Sequence, residues 1–135
     1  MSEFSISIEV RWGDVDSFGH VNNAVFLSYL EQCRSEWMSS VPSHWQDGDT
    51  GPVVAAVHIN YRRPLYWPGQ AVVTLKPASP GRSSIKLESE IRSAPDESGK
   101  TVQYADATVT LVWIEKKSGE SVPLPSAIRE LAKGV

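Results

Sequence analysis

DVDSFGHVNNAVFLSYLEQCRSEWM, residues 14–38, decides how the chain is read. It begins as a tight polar stretch holding two carboxylates, a Gly, a His and two Asn, and passes directly into a long, mostly apolar segment. Phe26, Leu30, Cys33 and Trp37 fall at i, i+4, i+7 and i+11, one continuous helical face that Val25, Leu27, Tyr29 and Met38 widen. This predicts a helix from about residue 23 to 39, capped by Asn22 or Asn23, whose side chain can accept from first-turn N–H groups. So much apolar surface on one helix implies burial on more than one side. A helix N-terminus carries unpaired N–H groups and about half a positive charge. It can therefore hold an anion, or an oxygen becoming one. Asp16 and His20 precede that end, an acid/base pair beside a candidate oxyanion site.

Outward from the helix the period changes. Phe4, Ile6, Ile8 and Val10 alternate with Ser5, Ser7, Glu9 and Arg11, which predicts a strand with one wet face. Residues 39–52, SSVPSHWQDGDTGP, read as a loop, and Trp45 suggests that it folds over something. Residues 53–63 are nearly continuous apolar at first, as expected of a central strand covered on both faces. Strands follow over 71–76, 84–93 and 101–114, separated by turn-rich PASPG and APDESGK. Ile85, Leu87 and Ile91 point one way, as do Ala105, Ala107, Val109, Leu111 and Trp113. KKSGE is a further hairpin signal, after which Val122 starts a short last strand. Ser126 caps a terminal helix through Leu131 that Gly134 can end. One strand, one long helix and then a run of antiparallel strands is an α+β layout, with the sheet wrapped on a dominant helix.

The totals narrow the function classes. A chain of 135 residues suggests one domain, 1–135, large enough for a real core. A net charge of −3 gives no general attraction to nucleic acid or an anionic membrane. No apolar run approaches the ~20 residues of a membrane span, and the N-terminus has no basic end followed by an apolar core. One cysteine, Cys33, allows no internal disulfide, which fits a cytoplasmic location. His44 and His58 lie far apart with no Cys or carboxylate at ligand spacing, so neither a metal nor a cofactor is expected.

Three segments in order resemble a known family. WGDVDSFGHVNN (12–23), HINYRRPLYWPGQAVVTL (58–75) and ATVTLVWIEKKSGESVPLP (107–125) are similar to the signature blocks of hotdog-fold thioesterases of the 4-hydroxybenzoyl-CoA thioesterase type. The resemblance covers nearly the whole chain. It implies a hotdog fold, a homodimer or homotetramer with sheets joined edge to edge, active sites at the interface, and cleavage of acyl-CoA thioesters. It carries the catalytic carboxylate onto Asp16 and the oxyanion donor onto the backbone N–H of Asn23. It places a CoA-binding segment at PGRSS, with Arg82 and Ser84 as candidates, and puts Glu31 at a helix position that faces the acyl pocket in the benzoyl-CoA enzymes. The loop also resembles plant acyl-ACP thioesterases, which carry an Asn where this chain has Phe18.

Each candidate has a structural alternative. Asp16 can be a general base or a nucleophile, or the anchor of an Asx-turn. His20 can orient Asp16, water or the carbonyl, or hydrogen-bond the loop. Asp14 reads as an organiser of the turn. Glu31 can instead pair with Arg34 at i+3 on the surface. Arg62, Arg63, Arg82 and Lys86 near strand ends can bind phosphate or be solvated hairpin charges. Cys33, on the apolar face, reads as a small hydrophobe rather than a nucleophile. The rival functions are an acyl-ACP thioesterase and a non-catalytic acyl-binding module. A hotdog hydratase would carry a DxNPxH pattern, absent here.

Overall fold

The computed structural model describes residues 3–41 and 48–133. The elements in order are β1 (Phe4–Glu9), a 3-10 turn (Trp12–Asp14), α1 (Asn23–Ser40), β2 (Thr50–Tyr61), β3 (Gln70–Ala78), β4 (Ser84–Arg92), β5 (Gln103–Glu115) and α2 (Ser126–Lys133). The five strands form one antiparallel sheet in the order β1-β3-β4-β5-β2. The expected α+β architecture is therefore found, with helix and strand boundaries close to those read from the periods. The readings at His44, Trp45 and Gly134 lie outside the described residues.

The periods become one packed face. Ile6 and Ile8 stand opposite Val73 and Ala71, Ile91 opposite Val73 and Ala105, and Leu87 opposite Val109. These side chains share a side of the sheet, and α1 lies on it with Phe26, Tyr29, Leu30, Cys33, Trp37 and Met38 buried. Fully burying each large apolar side chain stabilises the fold by about 1.5–3 kcal/mol. The helix stops at Val41, whose extended backbone (φ −85°, ψ 127°) suits the residue before a proline, here Pro42.

Three readings need correction. Residues 50–61 are not central: among the described residues β2 pairs only with β5 and forms the sheet's edge, with Val53, Val54, Val57 and Tyr61 all exposed. The apolar run looks the same whether its own chain or another covers it, so the sequence could not separate the two. Second, α1 is buried on one side only. It packs on β3 and β1, while Ala24, Leu27, Glu31, Gln32 and Ser35 stay exposed. Third, Val122 starts no strand. Ser121 makes a single bridge to Ile114, and Pro123 and Pro125 then withhold the N–H groups a ladder needs.

Cys33 is 1 % exposed, points its thiol at the Val73 carbonyl, and has its pKa pushed up to about 12, chiefly by burial. It is a packing residue. In the native protein it will resist a thiol reagent such as DTNB and react only on unfolding. Rapid stoichiometric labelling of folded protein would contradict this placement.

Candidate functional site

The loop between β1 and α1 is a miniature hairpin. Val15 bridges Val21, the Asp16 N–H donates to the His20 carbonyl (2.8 Å), and the Gly19 N–H donates to the Asp16 carbonyl (3.0 Å). Gly19 sits at φ +83°, a left-handed conformation that explains a glycine there. The hairpin is tied to the segment before β3: His20 bridges Tyr66, and the Val21 N–H donates to the Leu65 carbonyl (2.8 Å).

Asp14 anchors this loop from inside. Its carboxylate is 3 % exposed and accepts from the Arg11 N–H (3.0 Å), the Arg11 guanidinium (2.9 Å) and the Tyr29 hydroxyl (2.7 Å). Its carbonyl accepts from the Asn22 N–H (2.9 Å). Burial works to raise the Asp14 pKa, but the Arg11 and Tyr29 donors outweigh it and hold the carboxyl below its ordinary value. The same burial and the same hydrogen bond raise the Tyr29 phenol. Asp14 is thus the organiser of the turn, as its lack of a family catalytic role suggested.

The helix start follows directly. Asn22, not Asn23, is the N-cap: its backbone is extended (φ −62°, ψ 142°) and its side-chain oxygen accepts from the Ala24 N–H at 2.8 Å. The Val25 and Phe26 N–H groups donate to the Asn22 carbonyl. Of the first four helical N–H groups, only that of Asn23 has no acceptor among the described residues. It is the N–H the sequence resemblance singled out.

A cleft of about 300 Å³ opens beside it, lined by His20, Val21, Asn23, Phe26, Tyr61, Arg62, Arg63 and Pro64. Tyr61, at the end of β2, donates its hydroxyl to the Asn23 carbonyl (3.0 Å) and sets its ring edge-on to Phe26. Arg62 is committed to Asp106 (2.6 Å), which Asn60 also holds. Arg63 has no ion-pair partner among the described residues, leaving one uncommitted cation on the cleft.

The candidates separate by position. His20 and Asn23 line the cleft, while Asp16 is half-buried on the hairpin and is not among the lining residues. One Asp16 oxygen, Oδ1, accepts from the Phe18 N–H (2.9 Å) in an Asx-turn, and Oδ2 has no partner among the described residues. The His20 ring lies between Phe18 and Tyr66 and makes no side-chain hydrogen bond to Asp16. Glu31 is exposed on the open side of α1 and forms no salt bridge with Arg34 among the described residues, although its charge favours the Arg34 cation against the cost of burial. Arg82 and Ser84 are remote. Ser84 pairs with Val112, whereas Tyr61 pairs with Ala105, seven residues along β5 and about 24 Å away at strand spacing. Within one chain the Arg82–Ser84 segment and the cleft occupy opposite ends of the sheet.

Sequence reading missed Tyr61. It stands in the second signature block, but nothing in strand periodicity tells that a side chain 38 residues away reaches the helix start.

Comparison with known proteins gives the site a context. The profile of the Thioesterase-like superfamily matches residues 10–131. The chain is 32 % identical over 125 residues to the long-chain acyl-CoA thioesterase FadM of Escherichia coli (strain K12), covering 91 % of this chain and 92 % of that protein. Among solved structures it is similar to the PA2801 protein, described as a putative thioesterase of Pseudomonas aeruginosa (35 % identity, TM-score 0.84, 94 % of this chain and 95 % of that one). It is also similar to a thioesterase from Thermus thermophilus solved with coenzyme A and zinc (34 % identity, TM-score 0.77, covering 96 % and 91 %). Among the described residues of the present chain, no three His, Cys, Asp or Glu side chains gather as a metal ion would require.

The Asp14 cluster makes a pH-dependent prediction. A carboxyl whose folded pKa is depressed adds stability above its unfolded pKa of about 4, and that stability is lost as pH falls through the folded value. Tyr29→Phe removes one donor from a buried carboxylate and should cost about 1–3 kcal/mol at pH 7. The deficit should shrink as pH falls through the folded Asp14 value, because protonation removes the buried charge that the Tyr29 hydroxyl serves. Urea denaturation of both proteins from pH 7 down to the acid limit checks this; a deficit constant across that range would contradict it.

Proposed function

The chain belongs to the thioesterase-like superfamily, and we propose that it hydrolyses acyl-CoA thioesters with Asp16 as the catalytic carboxylate and the Asn23 N–H as the oxyanion donor. It is a thioester hydrolase of the hotdog type. The observation that supports the residue assignment is the single uncommitted N–H of the first helical turn, at Asn23, on the wall of a cleft. A thioester carbonyl seated there gains charge as it is attacked, and the donor and the helix dipole stabilise that charge more than the ground state.

Asp16 supplies the activated oxygen. As a base, Oδ2 takes a proton from water, hydroxide adds to the carbonyl carbon, and collapse of the tetrahedral oxyanion expels the CoA thiolate. As a nucleophile, Oδ2 adds directly, the thiolate leaves, and water cleaves the resulting anhydride. Oδ1 is already held by the Phe18 N–H, so the turn fixes the carboxylate while leaving Oδ2 open. His20, seated between two aromatic rings on the cleft wall, orients the carbonyl or the water. Single-turnover hydrolysis in ¹⁸O-water tests the nucleophile route. Label incorporated into Asp16 marks an anhydride opened at the Asp16 carbonyl, whereas label in the free acid alone comes from the base route or from water attack at the acyl carbonyl.

The rest of the site comes from a second copy. The apolar inner face of the sheet continues onto β2 through Val54, Val57, Ile59 and Tyr61, but α1 does not cover it. The outer edge of β2 also has no strand partner among the described residues, since β5 takes only one side. A two-fold axis through the middle of β2 pairs that edge with its own copy and covers the exposed stripe. The same rotation brings the far end of the partner's sheet, with its Arg82 and Ser84, toward the cleft of this chain to hold the CoA phosphates. Glu31, on the open side of α1, then borders the acyl path.

Two predictions test this reading. Asp16→Asn keeps the turn acceptor but removes the base, and should lower kcat by roughly 10²–10⁴ with substrate binding retained. Asn23→Pro deletes the N–H at a helix position where proline is well tolerated, and should lower kcat by about 10²–10³. Asn23→Ala, which keeps the N–H, should lose far less. Steady-state hydrolysis of an acyl-CoA by folded variants is the measurement, and near-normal kcat in Asp16→Asn would refute the carboxylate assignment. For the assembly, the protein should sediment as a dimer and Val57→Lys should shift it toward monomer with loss of turnover. A fully active monomer would remove the second copy from the site.

A further inference from the structure

We infer that Tyr61 is a positioning residue of the thioester-cleaving site, acting through the first peptides of α1 on the direction of the Asn23 N–H. The inference rests on the reading that this N–H holds the oxyanion.

The geometry is a clamp on both peptides that flank Asn23. The peptide joining Asn23 to Ala24 is held at both ends: its carbonyl accepts from the Tyr61 hydroxyl at 3.0 Å, and its N–H donates to the Asn22 side chain at 2.8 Å. The peptide joining Asn22 to Asn23 is held only at its carbonyl, which accepts from Val25 and Phe26. Its N–H is the free donor. A carbonyl has two acceptor sites, so the Tyr61 bond adds to the helix without competing with it. With both planes fixed, the Asn23 N–H is held in one direction, at the wall of the cleft that Asn23 and Tyr61 line together. The tyrosine ring is itself oriented, edge-on to Phe26 at 5.4 Å between centroids.

The element that carries Tyr61 sharpens the assignment. β2 otherwise packs little against α1, so the Tyr61 side chain, with its ring on Phe26 and its hydroxyl on the Asn23 carbonyl, is a tie from the edge strand to the helix start, bridging 38 residues of sequence. Helix ends fray unless their terminal groups are held. An oxyanion donor is useful only if it is aimed before the charge develops. A tie at this peptide meets that need, whereas a merely structural hydrogen bond could sit anywhere along the helix.

The test is a double-mutant cycle on Tyr61→Phe and Asn23→Pro, read by acyl-CoA hydrolysis after circular dichroism and thermal melting confirm folded protein. Tyr61→Phe keeps the ring against Phe26 and removes only the hydroxyl. It should lower kcat about tenfold, as loss of a positioning contact does, with KM within about twofold and little change in melting temperature. In the Asn23→Pro background the same change should have almost no effect, because the group it aims is gone. The Asn22 backbone, at φ −62° and ψ 142°, already has the extended conformation that a following proline requires.

Unchanged kcat in Tyr61→Phe overturns the inference, and if Asn23→Pro is still impaired, the oxyanion reading stands without it. A Tyr61→Phe loss of equal size in both backgrounds also overturns it, since the hydroxyl would then act elsewhere. Full activity of Asn23→Pro defeats the oxyanion reading and this inference together. A loss of melting temperature with kcat intact marks a purely structural bond and counts against the proposal. If Asn23→Pro does not fold, unchanged kcat in Tyr61→Phe still overturns the inference.

Discussion

A carboxylate taken out of water must be met by donors, and the arrangement around Asp14 is the consequence. Three donors reach it: the Arg11 N–H and guanidinium from the end of β1, and the Tyr29 hydroxyl from the second turn of α1. Leaving such a group unpaired costs more than any one of these bonds contributes, so the three partners are fixed together. Because the Asp14 carbonyl also takes the Asn22 N–H, this one residue sets both where β1 ends and where α1 begins. The hairpin of residues 15–21 is then too short to move independently of either.

Two acidic residues two positions apart in sequence thus have opposite tasks. Asp14 spends both oxygens on the fold. Asp16 gives one oxygen to the Phe18 N–H and keeps the other. The basic residues divide in the same way: Arg62 is tied to Asp106, while adjacent Arg63 has no such partner among the described residues. A lowered pKa, held down by the Arg11 and Tyr29 donors against the cost of burial, marks Asp14 as a carboxylate the fold uses. In this chain the groups open to a substrate are those whose bonding capacity the fold leaves unused.

The sheet carries the same logic at a larger scale. Its inner face is continuous from β1 to β2, yet α1 lies at the β1–β3 side. Val54, Val57 and Tyr61 are then apolar surface facing solvent in a single chain, 42 % exposed in the case of Val57. Scattered apolar side chains on a surface are ordinary, but a stripe along an unpaired edge is a surface shaped for another strand and what it brings. The cleft beside Asn23 lies at the Tyr61 end of that stripe, so a copy covering the stripe would border it.

Local physics was legible in the sequence. The helix was fixed by the spacing of Phe26, Leu30, Cys33 and Trp37, β4 and β5 by alternation, and the helix start by an Asn before an apolar run, because each depends on neighbours within a few residues. The Asp16–Asn23 segment could be read as a candidate site for the same reason: loop and helix end are contiguous. Properties that depend on what meets across the fold were not legible. Alternation could not tell that β2 lies at an edge, since a covered strand and a strand awaiting cover have the same composition. It could not place Tyr61 on the Asn23 carbonyl, separate Arg62 from Arg63, or set Arg82 at the far end of the sheet from the cleft. Those facts follow from strand order and register, which the antiparallel pairing of distant segments decides and no local pattern encodes.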